Sequence, residues 1–232
     1  MTHNDFTYKE VLRESYALTK KHFLFLFGLI LINLAIGTIL AQIPVIGQLI
    51  SIALSIATTC VILLIAGGHT PLYKDMLRPF RTYLTFWHYF LAMLLVFFLS
   101  MAVAGSLMLL GYAGSTATEG WAPLVIAALI VLALVAYYGL RLSFFRFLIV
   151  EDENLGPISA LKKSLSMTRN RFWKLAGFVG VLFLLNLLGL LAFVIGLIFT
   201  VPMSWIAFAL VYRKWNTQTY RTEGHSAASQ QK

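Results

Sequence analysis

Six stretches of about twenty mostly apolar residues divide this 232-residue chain, and that spacing constrains its fold more than any motif it carries. A segment inside a bilayer must satisfy its backbone hydrogen bonds internally, and a single apolar run of this length does so as a helix. The runs are Phe23–Ala41, Val45–Ala66, Phe86–Leu110, Trp121–Leu140, Phe172–Leu190 and Ala192–Tyr212. Composition agrees: 59% of residues are hydrophobic and 12% charged, with a mean hydropathy of +0.82. Soluble globular chains carry about 25% charged residues. A soluble enzyme, a disordered chain and a DNA-binding domain are therefore excluded, in spite of the net charge of +9. The single cysteine, Cys60, allows no intramolecular disulfide and reads as a small packing residue within an apolar run. Residues 1–22 are polar and amphipathic without the pattern of a signal peptide, so the first apolar run is expected to remain as a membrane helix.

Charge fixes the expected orientation. With the N-terminus in the cytoplasm, all 18 Lys and Arg fall in or beside the segments Met1–His22, Gly67–Thr85, Arg141–Arg171 and Arg213–Lys232. The opposite face, which includes the Gly111–Gly120 loop, holds one charge, Glu119. Such an asymmetry predicts six crossings with both termini cytoplasmic and, for a bacterial chain, the inner membrane. The first two spans turn at Gln42, Ile43 and Pro44; the last two divide near Leu190–Ala192, which leaves Pro202 as a kink inside the sixth.

An offset of 149 residues aligns the chain with itself. Leu12, Ser15, Thr19, Phe23, Leu26 and Gly28 recur as Leu161, Ser164, Thr168, Phe172, Leu175 and Gly177, six identities in 17 positions. Each copy opens with a helical stripe: Tyr8, Val11, Leu12, Ser15, Tyr16, Thr19 and Phe23 in the first, Ile158, Leu161, Ser164, Leu165, Thr168 and Phe172 in the second. Each stripe predicts an interfacial helix that leads into a hairpin of two spans, with Pro157 starting the second. Both copies run in the same direction, which indicates a parallel repeat. The Gly67–Thr85 segment predicts a third interfacial element, started by Pro71 and ended by Pro79.

The expected fold class is therefore all-α: a polytopic membrane protein with six transmembrane helices, cytoplasmic-side amphipathic interfacial helices and a parallel internal repeat. One membrane domain spans residues 1–212: interfacial helix 1–22, first hairpin 23–66, linker helix 67–85, central helix pair 86–150, interfacial helix 156–171 and second hairpin 172–212. A polar cytoplasmic tail, 213–232, follows.

Arg141, then Phe147-Leu148-Ile149-Val150-Glu151-Asp152-Glu153, Gly156-Pro157, Ala160-Leu161-Lys162-Lys163-Ser164, and Thr168 before Phe172-Trp173 form a distinctive block. It resembles the bacterial group that includes YciC-like inner-membrane proteins and the membrane domain fused to some glycerophosphodiester phosphodiesterases. The specific likeness lies in residues 141–175, with echoes at 8–28. It implies a six-helix membrane module of largely undefined activity and brings no site residues with it. In the fused relatives a catalytic domain follows the membrane part; here Trp215–Lys232 is an 18-residue polar tail, so the phosphodiesterase activity is not implied.

No HExxH, GxSxG or phosphate-cradling glycine loop is present, and no enzyme activity, cofactor or metal is expected. The five histidines, His3, His22, His69, His88 and His225, are scattered and read as interfacial ring anchors. Asn33 and Asn186 are the chief intramembrane polar residues, each in the first span of a repeat copy, with Ser51, Ser55, Thr58, Thr59 and Ser100 adding hydroxyls. Such groups join helices or line a substrate path, and packing is the plainer reading. Arg141, Arg146, Glu151, Asp152, Lys162 and Lys163 form a candidate site for a lipid head group or a docking partner. If the fourth span continues past Leu140 as a helix, the two arginines stand about 140° apart, so that one can reach lipid phosphate while the other pairs with the acidic run or Asp75. The expected partners are membrane lipids, with anionic head groups at the cytoplasmic face, and a second copy of the chain; nucleic acid is not among them. The functional expectation is a non-enzymatic module that interacts with lipid or docks a partner. A small transporter or channel for an apolar or amphipathic solute is the alternative, and an integral-membrane enzyme comes third.

Overall fold

Helices account for the regular structure in the computed structural model, which describes residues 6–40, 43–81, 83–118, 120–191 and 195–230. Helix α1, Tyr8–Lys21, ends at His22, where the chain turns by 83° into α2, Phe23–Leu40. Helix α3, Pro44–Ala66, begins on a proline whose missing N–H is no loss in a first turn, and stops at Gly67-Gly68. Gly68 has φ +79°, a left-handed conformation that side-chain-bearing residues resist. A 3-10 helix, Tyr73–Arg81, precedes α4, Tyr83–Thr118. Then come α5, Ala122–Leu142; α6, Phe145–Glu151; α7, Pro157–Thr168; α8, Phe172–Leu191; and α9, Ile195–Gln230.

The described chain is thus all-helical, as expected. Five stretches are long and apolar enough to cross a membrane: Gly47–Ala66, Tyr83–Thr116, Ala122–Glu151, Phe172–Leu191 and Gly196–Gln218. The bent pair α1–α2 supplies a sixth if taken as one span. This is consistent with a multi-pass membrane protein.

Several expectations differ in detail. The segment expected to be the Gly111–Gly120 loop is helical to Thr118, because its glycines serve a helix crossing rather than a turn. A Cβ on Gly111 would lie 2.7 Å from the Cβ of Ala127, and one on Gly114 would lie 3.1 Å from that of Pro123. The linker helix begins at Tyr73 rather than Pro71 and runs through Pro79; the Leu72 amide donates to the Asp75 carboxylate at 2.8 Å. The tail continues α9 as helix as far as Gln230. Between the fifth and sixth spans, α8 ends at Leu191 and α9 begins at Ile195; the expected boundary residue Ala192 lies outside the described residues, as do Gln42 in the first turn and Glu119. Pro202 is buried within α9.

Helices α4 and α5 are central in sequence and peripheral in the fold. They pack against each other, and the most apolar window of α4 is 0% buried, against 50% for α3. The closed core lies instead around α9, which packs against α1, α3 and α8, with the α6–α7 segment against it. There the Phe144 ring stands 5.6 Å from Trp215 and 5.9 Å from Tyr212, and Phe6 stands 5.6 Å from both Phe178 and Trp215.

Residues 149 positions apart occupy similar surroundings. Val11 and Ala160, Ser15 and Ser164, Thr19 and Thr168, Leu26 and Leu175, and Leu29 and Phe178 are all fully buried. Thr19 and Thr168 each donate to the carbonyl four residues back, at 2.7 and 3.0 Å. Gly28 and Gly177 each leave room for a tyrosine hydroxyl, from Tyr73 and Tyr8 respectively.

Candidate functional site: the inter-hairpin cleft and its arginine

Each hairpin is joined by an amide. Asn33 Nδ2 on α2 donates to the Leu29 carbonyl at 2.8 Å and to Thr58 Oγ1 on α3 at 3.3 Å. Asn186 Nδ2 on α8 donates to the Leu182 carbonyl at 2.9 Å and to Ser204 Oγ on α9 at 2.9 Å. Both asparagines therefore link helices, as packing requires. They also line one cavity of about 610 Å³ between the hairpins, with Ser51, Ser55, Thr58, Thr59 and Ser204. Asn186 Oδ1 is shielded from solvent and has no hydrogen-bond partner. Thr59 and Ser204 spend their protons on the carbonyls of Ser55 and Thr200, each at 2.8 Å, and keep acceptor capacity.

Arg146 belongs to the same cavity. It is exposed on α6, as is Glu151 at the end of that helix, whereas Phe145, Phe147, Leu148 and Ile149 are buried. The chain breaks helix at Ser143–Phe144, so α5 does not continue through the elbow and the two arginines stand on different helices. Arg146 also lines a second, more apolar cavity of about 520 Å³ between α4 and α5, with Met93, Val96, Val103 and Leu134. Ser143 and Arg146 are common to both spaces. Among the described residues, Arg146 has no hydrogen-bond or ion-pair partner.

The other elbow residues are engaged elsewhere. Arg141 Nη2 donates to the Leu165 carbonyl on α7 at 2.9 Å and Nη1 to Tyr137 Oη at 3.0 Å, while its own carbonyl accepts from Ser164 Oγ at 2.8 Å. Glu151 accepts from Tyr212 Oη and, at 3.0 Å, from Asn216 Nδ2, which ties the end of α6 to α9. Asp152 accepts from the Asn154 amide at 3.1 Å within its own turn. Lys162 is exposed and Lys163 half-buried, off the face that α7 buries. The expected constellation is thus dispersed: Arg141 faces α7, Glu151 faces α9, and Arg146 faces the cavities. Asp75 is used by the Leu72 amide.

Charged groups gather where the helix ends meet. Lys214 Nζ lies 2.7 Å from Glu10 and 3.7 Å from Glu14, clamping α9 to α1. The Lys214 ammonium holds the Glu10 carboxyl below the usual carboxylate range. Burial, with Lys21 beside it, pushes His22 below the ordinary imidazole value. Arg213 Nη1 donates to the Leu63 carbonyl at 3.3 Å, near the end of α3.

Sequence reasoning did not single out Ser143, Ser204, Lys214, Tyr212 or Asn216. Tyr212 and Asn216 are four residues apart on one helix face, a spacing that could have pointed to a shared partner. Nothing in the chain marked Ser143 as a residue common to two cavities. No family model matches the chain, and no curated protein or solved structure matches it either.

Proposed function

We propose that this chain is a non-enzymatic, six-span protein of the bacterial inner membrane, with both termini cytoplasmic, that binds an anionic lipid at Arg146. The observation that carries this reading is the position of Arg146. It stands between an apolar groove and a polar-lined cleft with no ion-pair or hydrogen-bond partner among the described residues. Guanidinium and phosphate make strong paired hydrogen bonds. A phosphate at Arg146 leaves an acyl chain beside the groove between α4 and α5. The paired burial at the 149-residue offset supports two parallel copies of one helix-plus-hairpin unit. The block at 141–175 supports kinship with the YciC-like group.

The test is mass spectrometry of lipid retained by the purified protein. Arg146→Gln is expected to lose an anionic phospholipid that the wild type and Arg141→Gln keep. Equal retention by all three overturns the reading.

A transporter for an amphipathic solute is the second reading. The observation favouring it is that Asn33 and Asn186, both within spans, meet in one cavity. Flux of an amphipathic probe across vesicles, abolished by Asn186→Leu, would establish it.

A further inference from the structure

The cleft between the hairpins has a lining that selects among ligands. It shares Ser143 and Arg146 with the apolar groove, so a phosphate held by Arg146 has hydrocarbon on one side and, on the other, a cleft in which amides and hydroxyls stand among apolar residues such as Phe147, Phe183 and Phe208. Those polar side chains are amides and hydroxyls, and among the described residues no carboxylate lines the cavity. Asn186 Oδ1 is buried without a donor, and Thr59 and Ser204 have already given their protons to backbone carbonyls. The acceptor capacity left at Thr59 and Ser204 can be met by donors from a ligand. Two head-group chemistries supply them, hydroxyl and ammonium. Stripping water from an ammonium costs several kcal/mol unless an opposite charge compensates. Here the charged side chain in the lining is Arg146, of the same sign, and Glu151 is not part of the lining. A neutral hydroxyl both donates to an unpaired carbonyl and accepts from an amide, and carries no such penalty.

We infer that the cleft reads the head group of the bound lipid and selects a neutral polyol joined through a phosphodiester, rejecting an amine-bearing head group. This rests on the proposed lipid-binding reading and adds the class of head group to it.

The experiment uses the full-length chain in bilayers of equimolar phosphatidylglycerol, phosphatidylethanolamine and phosphatidic acid, with retained lipid counted after purification. The wild type is expected to keep phosphatidylglycerol at least tenfold over phosphatidylethanolamine. Asn186→Leu should bring that ratio near one while phosphatidic acid, which has phosphate and no polyol, is kept as before. Ser204→Ala is the milder variant if Asn186→Leu fails to fold, and should lower the ratio in the same direction. Arg146→Gln should lose all three lipids. Phosphatidylethanolamine kept as well as phosphatidylglycerol, with Arg146 still required, overturns the head-group inference and leaves the lipid-binding reading standing. Retention that ignores Arg146 removes both. A preference for phosphatidylglycerol that neither Asn186→Leu nor Ser204→Ala changes also overturns the inference, because the selecting groups then lie outside the cleft.

Discussion

Arg141 and Arg146 lie five positions apart and are held in opposite ways, which sets different outcomes for the same substitution. Arg141 bonds the Leu165 carbonyl and Tyr137, with Nε buried and unpartnered, so Arg141→Gln strips partners from groups packed between α5 and α7. The expected loss is about 1–3 kcal/mol, read as a lower melting temperature in detergent. Arg146→Gln removes no bond to a described residue and should leave melting unchanged in delipidated protein. At the α8–α9 crossing, a Cβ on Gly196 would stand 2.6 Å from the Gly189 backbone, and one on Gly189 would stand 2.6 Å from Thr200 Oγ1. Gly196→Leu should therefore destabilise the second hairpin by about 1–3 kcal/mol or prevent its assembly, and a wild-type melting curve would contradict this close approach. By contrast, Gly68 tolerates its left-handed φ because it has no side chain, and Gly68→Val is strained by backbone conformation alone.

At the scale of elements, α1 is held by an exposed charge clamp and a buried stripe, and the two respond differently to conditions. The Lys214–Glu10 and Lys214–Glu14 contacts are solvent-exposed and weaken with salt. Glu10 is depressed in the fold, so its contribution is complete above its unfolded value and is lost as pH falls through the folded one. His22 is also depressed, so the elbow between α1 and α2 favours neutral imidazole and loosens as pH drops below about 6.5. Spin labels at Arg13 and Thr217 should report a short α1–α9 distance at pH 7 that lengthens on acidification, and in Lys214→Glu at every pH. A distance unchanged by either would show that the stripe alone holds α1. Much of this element was readable beforehand. The 3.6-residue spacing of Val11, Ser15 and Thr19 marked the buried face, because a helix presents every third or fourth residue to one side. The clamp was not readable, since Lys214 and Glu10 are separated by 204 residues. Gly111 and Gly114 misled for a related reason: in water glycines end helices, whereas between membrane helices they admit a neighbour.

For the whole molecule, the runs of hydrophobic residues announced the helices, while the stripes were covered only in part: Val11, Ser15 and Thr19 of the first and Leu161, Ser164 and Thr168 of the second are buried, whereas Tyr16, Phe23 and Ile158 are exposed. The site was less legible. Asn33, Asn186 and Arg146 were each noticed, but a cavity is a property of the spaces between helices, and no linear spacing encodes it. The break at Ser143–Phe144 carries no helix-breaking residue, and Phe144 packs there against Tyr212 and Trp215. The proposed orientation rests on charge asymmetry. Single cysteines at Thr2, Lys74 and Lys162 should react only with a membrane-permeant maleimide in intact cells, and one at Glu119 also with an impermeant reagent; Lys74 or Lys162 labelled from outside would contradict the assignment. The central claim, a lipid phosphate held at Arg146, is tested most directly by a structure determined in native lipid. Non-protein density is expected at the Arg146 guanidinium, continuous with a chain lying between α4 and α5. An Arg146 side chain surrounded by solvent, with lipid ordered only on the outer faces of the helices, would contradict it.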